Sequence, residues 1–152
     1  MTQAEIDAAA ATEFRRLPLS SGGIAVQPSQ GWSLVNLETI VHTAGQAQTF
    51  STTVLGIPVD VRATPVRYTW SFGDGSAPLV TADPGSPWPD ATVTHSYART
   101  GMHTIGLVTQ WAGEYQIEGS TSWQPIDGFA TTTESAPPLE VRSAENALVT
   151  AP

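Results

Sequence analysis

At 152 residues, 40% of them apolar, the chain holds one domain with room for an appendage. Fourteen carboxylates against six arginines and no lysine give a net charge of −8, which argues against binding to nucleic-acid phosphates or anionic membranes. The absence of cysteine excludes disulfides, thiolate catalysis and cysteine zinc sites.

Residues 2–16 read as a short helix. Thr2 and Glu5 match the capping-box spacing, Ala8 to Ala11 are strong helix formers, and Ile6, Ala10 and Phe14 make one narrow apolar face. Arg15 and Arg16 suit a helix C-terminus, and Pro18 makes Leu17 the stop. The opening Met1-Thr2-Gln3-Ala4-Glu5 has neither the basic nor the apolar region of a secretory leader, and no apolar run reaches the roughly 20 residues of a membrane helix.

From Leu19 the helical period gives way to short strands and turns. Ile24 to Val26 and Ser33 to His42 read as strands. Phe50 to Leu55 and Val59 to Ala63 flank Gly56-Ile57-Pro58 as a hairpin. In Val66 to Phe72, Tyr68, Trp70 and Phe72 alternate with Arg67, Thr69 and Ser71, so period two puts the aromatics inward. Ser76 to Asp90, with Pro78, Pro84, Pro87 and Pro89, reads as a long loop. Thr92 to Tyr97 and Met102 to Trp111 follow as strands. Tyr115 to Ile117 can pair with Trp123 to Ile126, and Ala136-Pro137-Pro138 breaks the chain before a last strand at Leu139 to Arg142.

Trp70-Ser71-Phe72-Gly73-Asp74-Gly75, then His95-Ser96-Tyr97, then Gly101 form an ordered constellation. Two aromatics anchor a strand, the glycines allow positive φ in a tight turn, and Asp74 can bond neighbouring amides. His95 and Tyr97 share a strand face, so both can enter the core with polar tips seeking partners. The constellation resembles the signature of the polycystic kidney disease (PKD) domain, in a divergent, decorated, bacterial-type form. His103 stands where the family carries an aromatic, Thr109 where a valine is expected, and the loop from Ser76 to Ala91 is long for the family.

The resemblance implies an all-β, immunoglobulin-like sandwich, here with extra strands and a short N-terminal helix. It also implies an exported or cell-surface module, its leader removed from this chain, that is non-catalytic and serves in protein–protein interaction or as a structural spacer. A carbohydrate-binding accessory is the alternative, with a hydrolase behind it; the partner is then a protein or a cell-surface glycan. The division expected along the chain is an appendage at 1–18, additional strands at 19–63, and the PKD-like sandwich at 64–152 with an excursion at 112–138.

The candidate sites divide by chemistry. Asp74 reads as a turn cap rather than a calcium ligand, because turn capping is intrinsic to Asp and no second carboxylate is clustered with it. His42, His95 and His103 lack metal-ligand spacing, and His95 reads as a core histidine bonded to backbone, so no metal or cofactor is expected. No G-x-S-x-G elbow or phosphate loop is present. Trp88, inside Ser86-Pro87-Trp88-Pro89-Asp90, is either a plug at the end of the sandwich or a rigid exposed anchor, with Asp83 and Asp90 favouring a basic rim on a partner. Trp111 and Trp123 read as core or half-buried sheet residues.

Overall fold

The computed structural model describes residues 2–144. In chain order the elements are α1 (Gln3–Arg16), β1 (Ala25–Gln27), β2 (Trp32–Leu34), β3 (Glu38–His42), β4 (Gln48–Val54), β5 (Ile57–Ser71), β6 (Leu79–Thr81), β7 (Thr94–Ser96), β8 (Gly101–His103), β9 (Gly106–Ile117), β10 (Gln124–Ser135) and β11 (Leu139–Arg142). They fall into two compact units that share the chain by turns. One takes the chain up to Ser21, then Gly45–Arg67 and Thr109–Thr132; the other takes Gly22–Ala44, Tyr68–Val108 and the chain from Thr133 on.

In the first unit α1 covers a sheet ordered β10-β9-β5-β4. The helix starts where its own sequence tells it to. Thr2 Oγ1 accepts from the Glu5 amide at 3.1 Å and the Glu5 carboxylate accepts from the Thr2 amide at 3.3 Å, which satisfies two donors that the first turn leaves open. Phe14 is 1% exposed and lies over Gly113 of β9, where a Cβ would stand 2.9 Å from its ring; the bare glycine lets helix and sheet approach. Tyr115 donates to Asp7 Oδ1 at 2.6 Å and accepts from Gln3 Nε2 at 2.8 Å, tying the first turns of α1 to β9. Burial first, and then the bond to the Asp7 carboxylate, pushes the Tyr115 phenol up to about 12. The same bond holds Asp7 below the usual carboxylate range.

In the second unit β1, β3 and β7 form an antiparallel sheet, with Val26 opposite Val41 and Thr39 opposite His95. β11 lies between β2, to which it is parallel, and β8, to which it is antiparallel. β6 pairs with Tyr68–Trp70 of β5. The core is built on Tyr68, Trp70, Phe72, Tyr97, Leu107 and Val141, all buried. The alternation in β5 is the one that period two dictates: Tyr68, Trp70 and Phe72 are inward while Arg67 and Ser71 are exposed. Ser33 and Thr39 bring buried hydroxyls into this apolar surrounding and satisfy each other at 3.2 Å.

Several elements differ from the sequence reading. Ser33 to His42 is two strands, β2 and β3, because Asn36 adopts φ 65° in a turn between them; asparagine is among the few side chains that tolerate that region. Val59 to Ala63 and Val66 to Phe72 are one strand, β5, running through Pro65. β4 pairs with β5 only up to Ala63 and β6 begins at Tyr68, so Pro65 falls where that edge has no ladder to lose. The hairpin turn is Leu55-Gly56, at φ 52° and 79°, rather than Gly56-Ile57-Pro58. Met102 to Trp111 breaks at Thr104-Ile105, since β8 bonds to β11 while β9 bonds to β5 and β10. The Ser76 to Asp90 loop contains β6. The linear division into 1–18, 19–63 and 64–152 gives way to the interleaved one, because Gly22–Ala44 clusters with the sandwich while Thr109–Thr132 clusters with the helix. The last eight residues of that third segment lie outside the described residues.

Candidate functional site

Two features of the second unit bring chemistry to its surface: the Gly73-Asp74-Gly75 turn and the loop that carries Trp88. The turn follows directly from β5. Gly73 and Gly75 sit at φ +75° and +82°, the left-handed region where a Cβ is penalised. Between them Asp74 turns its carboxylate back. Oδ1 accepts from the Ser76 amide at 3.0 Å and from the Ser76 hydroxyl, and Oδ2 pairs with His95 Nε2 at 2.7 Å.

His95 is correspondingly held by a carboxylate and not, as its strand position suggested, by backbone. The physical reason is reach: its ring lies flat on Phe72, centroids 4.0 Å apart and planes within 3°, which points Nε2 at the turn that follows Phe72. Tyr97 meets the His95 ring edge-on at 4.7 Å and donates its hydroxyl to the Phe72 carbonyl at 2.8 Å. His103 stacks on Tyr97 at 4.6 Å, with Nδ1 3.3 Å from the Gly73 carbonyl oxygen. The histidine that departs from the family pattern thus still supplies a flat ring to the stack. Gly101 opens β8 at φ +130°.

The chemistry of this cluster is positional. Burial would raise the Asp74 carboxyl, but the bonds from Ser76 and His95 outweigh it and hold it well below the usual carboxylate range. The Ser76 hydroxyl is turned to Asp74 and not to His95, so these residues do not line up as nucleophile, base and orienting carboxylate. Among the described residues no three His, Cys, Asp or Glu side chains gather in a way that could hold a metal ion.

The depressed carboxyl gives a pH signature. A group whose folded pKa lies below its unfolded value stabilises above the unfolded value and loses that contribution as pH falls through the folded one. Asp74→Asn is expected to cost about 1.5–3 kcal/mol at neutral pH, as hydrogen bonds to a charged group do. The gap to wild type should shrink once pH drops below about 4, the ordinary Asp value. Urea denaturation at a series of pH values checks this, and a gap that stays constant into strong acid contradicts it.

The Trp88 loop is pinned at its stem. Thr43 donates its amide to the Pro84 carbonyl at 2.9 Å, and Asp83 Oδ1 accepts from the Gly85 amide at 2.8 Å. Gly85, at φ +86°, passes so close to β3 that a Cβ would stand 2.5 Å from the Val41 carbonyl oxygen. Beyond the stem, the Trp88 amide donates to Gln27 Oε1 at 2.8 Å and the Asp90 amide to the Pro87 carbonyl at 2.9 Å. The backbone of Trp88 is therefore fixed while its side chain is 72% exposed, which makes it a displayed residue and not a plug. Asp90 is also exposed, whereas Asp83 is half-buried with one carboxylate oxygen on Gly85. Gln27 carried no signal in the sequence; only the structure brings it from β1 to the loop. Trp111 is buried, and Trp123 is half-buried under the Arg62 guanidinium, 4.2 Å from its ring centroid.

The PKD domain family matches residues 34–110, half of the chain. The chain belongs to that family, and its sandwich is of the immunoglobulin-like kind. The match begins at Leu34, thirty residues ahead of the boundary at 64 expected from the signature. The structure shows why: β3 bonds directly to β7, the strand that carries His95, so it is a strand of the sandwich itself. No curated protein matches the chain.

Proposed function

We propose that this PKD-family chain is a non-catalytic module that works outside the cell or at its surface and recognises a protein partner through the Trp88 loop. The observation that carries the reading is Trp88 itself: a large apolar side chain at 72% exposure on a backbone already held in place. A rigid aromatic anchor loses little entropy on binding, and tryptophan leads among the residues that dominate interfaces. Exposed Asp90, in a chain of net charge −8, favours a basic rim on the partner.

The carbohydrate-binding alternative calls for a row of exposed aromatics on one face. Trp111 is buried in the core and Trp123 is covered by Arg62, so neither extends Trp88 into such a row. That favours the protein partner over the glycan.

The test is Trp88→Ala in a pull-down against extracellular proteins and on a glycan array. Stability is expected to stay within about 0.5 kcal/mol of wild type, as for a surface change. Partner affinity is expected to fall by about thirtyfold or more, as for a hot-spot tryptophan. Partner binding that survives Trp88→Ala but is lost when proline enters an edge strand contradicts the loop reading and moves recognition to strand addition. Glycan binding lost in the same variant favours the sugar alternative.

A further inference from the structure

The first unit carries a feature that the Trp88 reading does not use. β10 ends the strand order β10-β9-β5-β4, so among the described strands none pairs with its other edge at Gly128–Thr132. Natural edge strands are blunted by lysine, proline, a bulge or a covering segment. From Gly128 to Thr133 this edge reads Gly-Phe-Ala-Thr-Thr-Thr, with no charge and no proline, and Phe129 is 51% exposed.

Beside it lies a cavity of about 380 Å³, lined by Phe129 to Thr132 of β10, by Leu17, Pro18 and Leu19, and by Arg15. Arg15 Nη2 lies 2.6 Å from where a Gly128 Cβ would stand, so the bare glycine is what lets the guanidinium rest on the strand. Arg62 and Arg142 are paired with Glu114 and Glu140, while among the described residues Arg15, like Arg16, Arg67 and Arg99, has no carboxylate within ion-pair distance. Arg15 is exposed, and it is the one charged side chain among the residues that line this cavity.

We propose that the edge of β10 at Gly128–Thr132 takes an extended peptide from a partner protein, an apolar segment bearing one carboxylate side chain. The unpaired backbone groups of β10 supply the ladder, and the cavity against Leu17 and Leu19 receives an apolar side chain. Arg15 receives the carboxylate, in the two-pronged geometry that guanidinium offers. The charge sets the peptide's chemistry, because Arg15 is the one charged side chain among the residues lining the cavity and would repel a basic strand. This site is independent of Trp88.

The probe is an alternating Thr–Val peptide with one central glutamate, and its glutamine counterpart, titrated into the full chain by fluorescence anisotropy and amide chemical shifts. The glutamate peptide is expected to bind about tenfold tighter than the glutamine one, with shifts centred on Gly128–Thr132. Arg15→Gln should erase that preference. Proline placed singly at Phe129, Ala130 and Thr131 separates fold from binding. Where the lost N–H faces outward, the variant should melt like wild type and lose the peptide. Trp88→Ala should change nothing. Equal affinity for the two peptides overturns the proposal, as do shifts elsewhere on the chain or binding retained in every folded proline variant. Self-association that appears on Arg15→Ala also overturns it, by showing that Arg15 guards the edge against a second copy.

Discussion

Trp70→Ala should destabilise the protein by about 3–5 kcal/mol, the range for truncating a core aromatic. Trp70 is fully buried, flanked on its own face by Tyr68 and Phe72, and packed in the core that also holds Tyr97 and Leu107. It also anchors β5 three residues before Gly73, so its loss is expected to loosen the turn that Asp74 and His95 close. One detail refines the expectation. Trp70 Nε1 is buried without a hydrogen-bond partner among the described residues, and an orphaned donor costs about 1–3 kcal/mol. Trp70→Phe removes that donor while keeping an aromatic, so its cost should be far smaller, about 1 kcal/mol or less, the lost volume being offset by the relieved N–H. Chemical denaturation of both variants settles the matter. A midpoint for Trp70→Ala close to wild type would show that the residue does not hold this core.

Local chemistry made parts of this fold legible. The helix needs only Thr2, Glu5 and the residues between them to define its start, and the structure caps it there. The inward set of β5 needs only alternation, and Tyr68, Trp70 and Phe72 are buried. The β4–β5 hairpin was visible as two β-rich runs around a glycine, although its turn lies one residue earlier. What stayed hidden depends on non-local pairing. Pro65 reads as a breaker in isolation, yet it lies inside a strand because its outer neighbour ends before it and the next begins after it. The split of Met102 to Trp111 follows from a change of bonding partner, which no run of alternating residues announces.

The same contrast separates the parts of the sites. The Asp74–Ser76 contact spans two residues and is the kind of turn that Asp favours. The Asp74–His95 pair spans twenty-one residues and depends on how the His95 ring stacks on Phe72. The sequence places Asp74 in the turn and reads His95 as a core histidine bonded to backbone, so nothing in it joins the two. Trp88 could be recognised as hard to bury, but its exposure depends on a stem fixed by Thr43, Asp83 and Gly85 and on Gln27 from a distant strand. Arg15 read as a helix-terminal cation, and its position over Gly128 joins segments more than a hundred residues apart.

Gly73→Ala should cost about 3–4 kcal/mol and Gly75→Ala only about 1 kcal/mol, although both glycines lie in the left-handed region. The two backbones are alike, at φ +75° and +82°, so the dihedral penalty should be similar. Their surroundings differ. A Cβ on Gly73 would stand 2.6 Å from the Thr104 carbonyl oxygen and 2.8 Å from its amide nitrogen, whereas a Cβ on Gly75 would meet nothing within 4 Å. Backbone cannot rotate away as a side-chain tip can, so Gly73→Ala must push Thr104 and its neighbours aside. His103 precedes Thr104 and stacks on Tyr97 at 4.6 Å, which makes the ring stack the first casualty. The expected readout is therefore double: a large drop in denaturation midpoint together with a changed near-ultraviolet dichroism of the aromatic cluster. Gly75→Ala should leave that spectrum intact. Equal costs for the two alanines would show that Thr104 yields freely and that Gly73 is required for its dihedral angle alone, not for the close approach of the signature turn to the chain between β8 and β9.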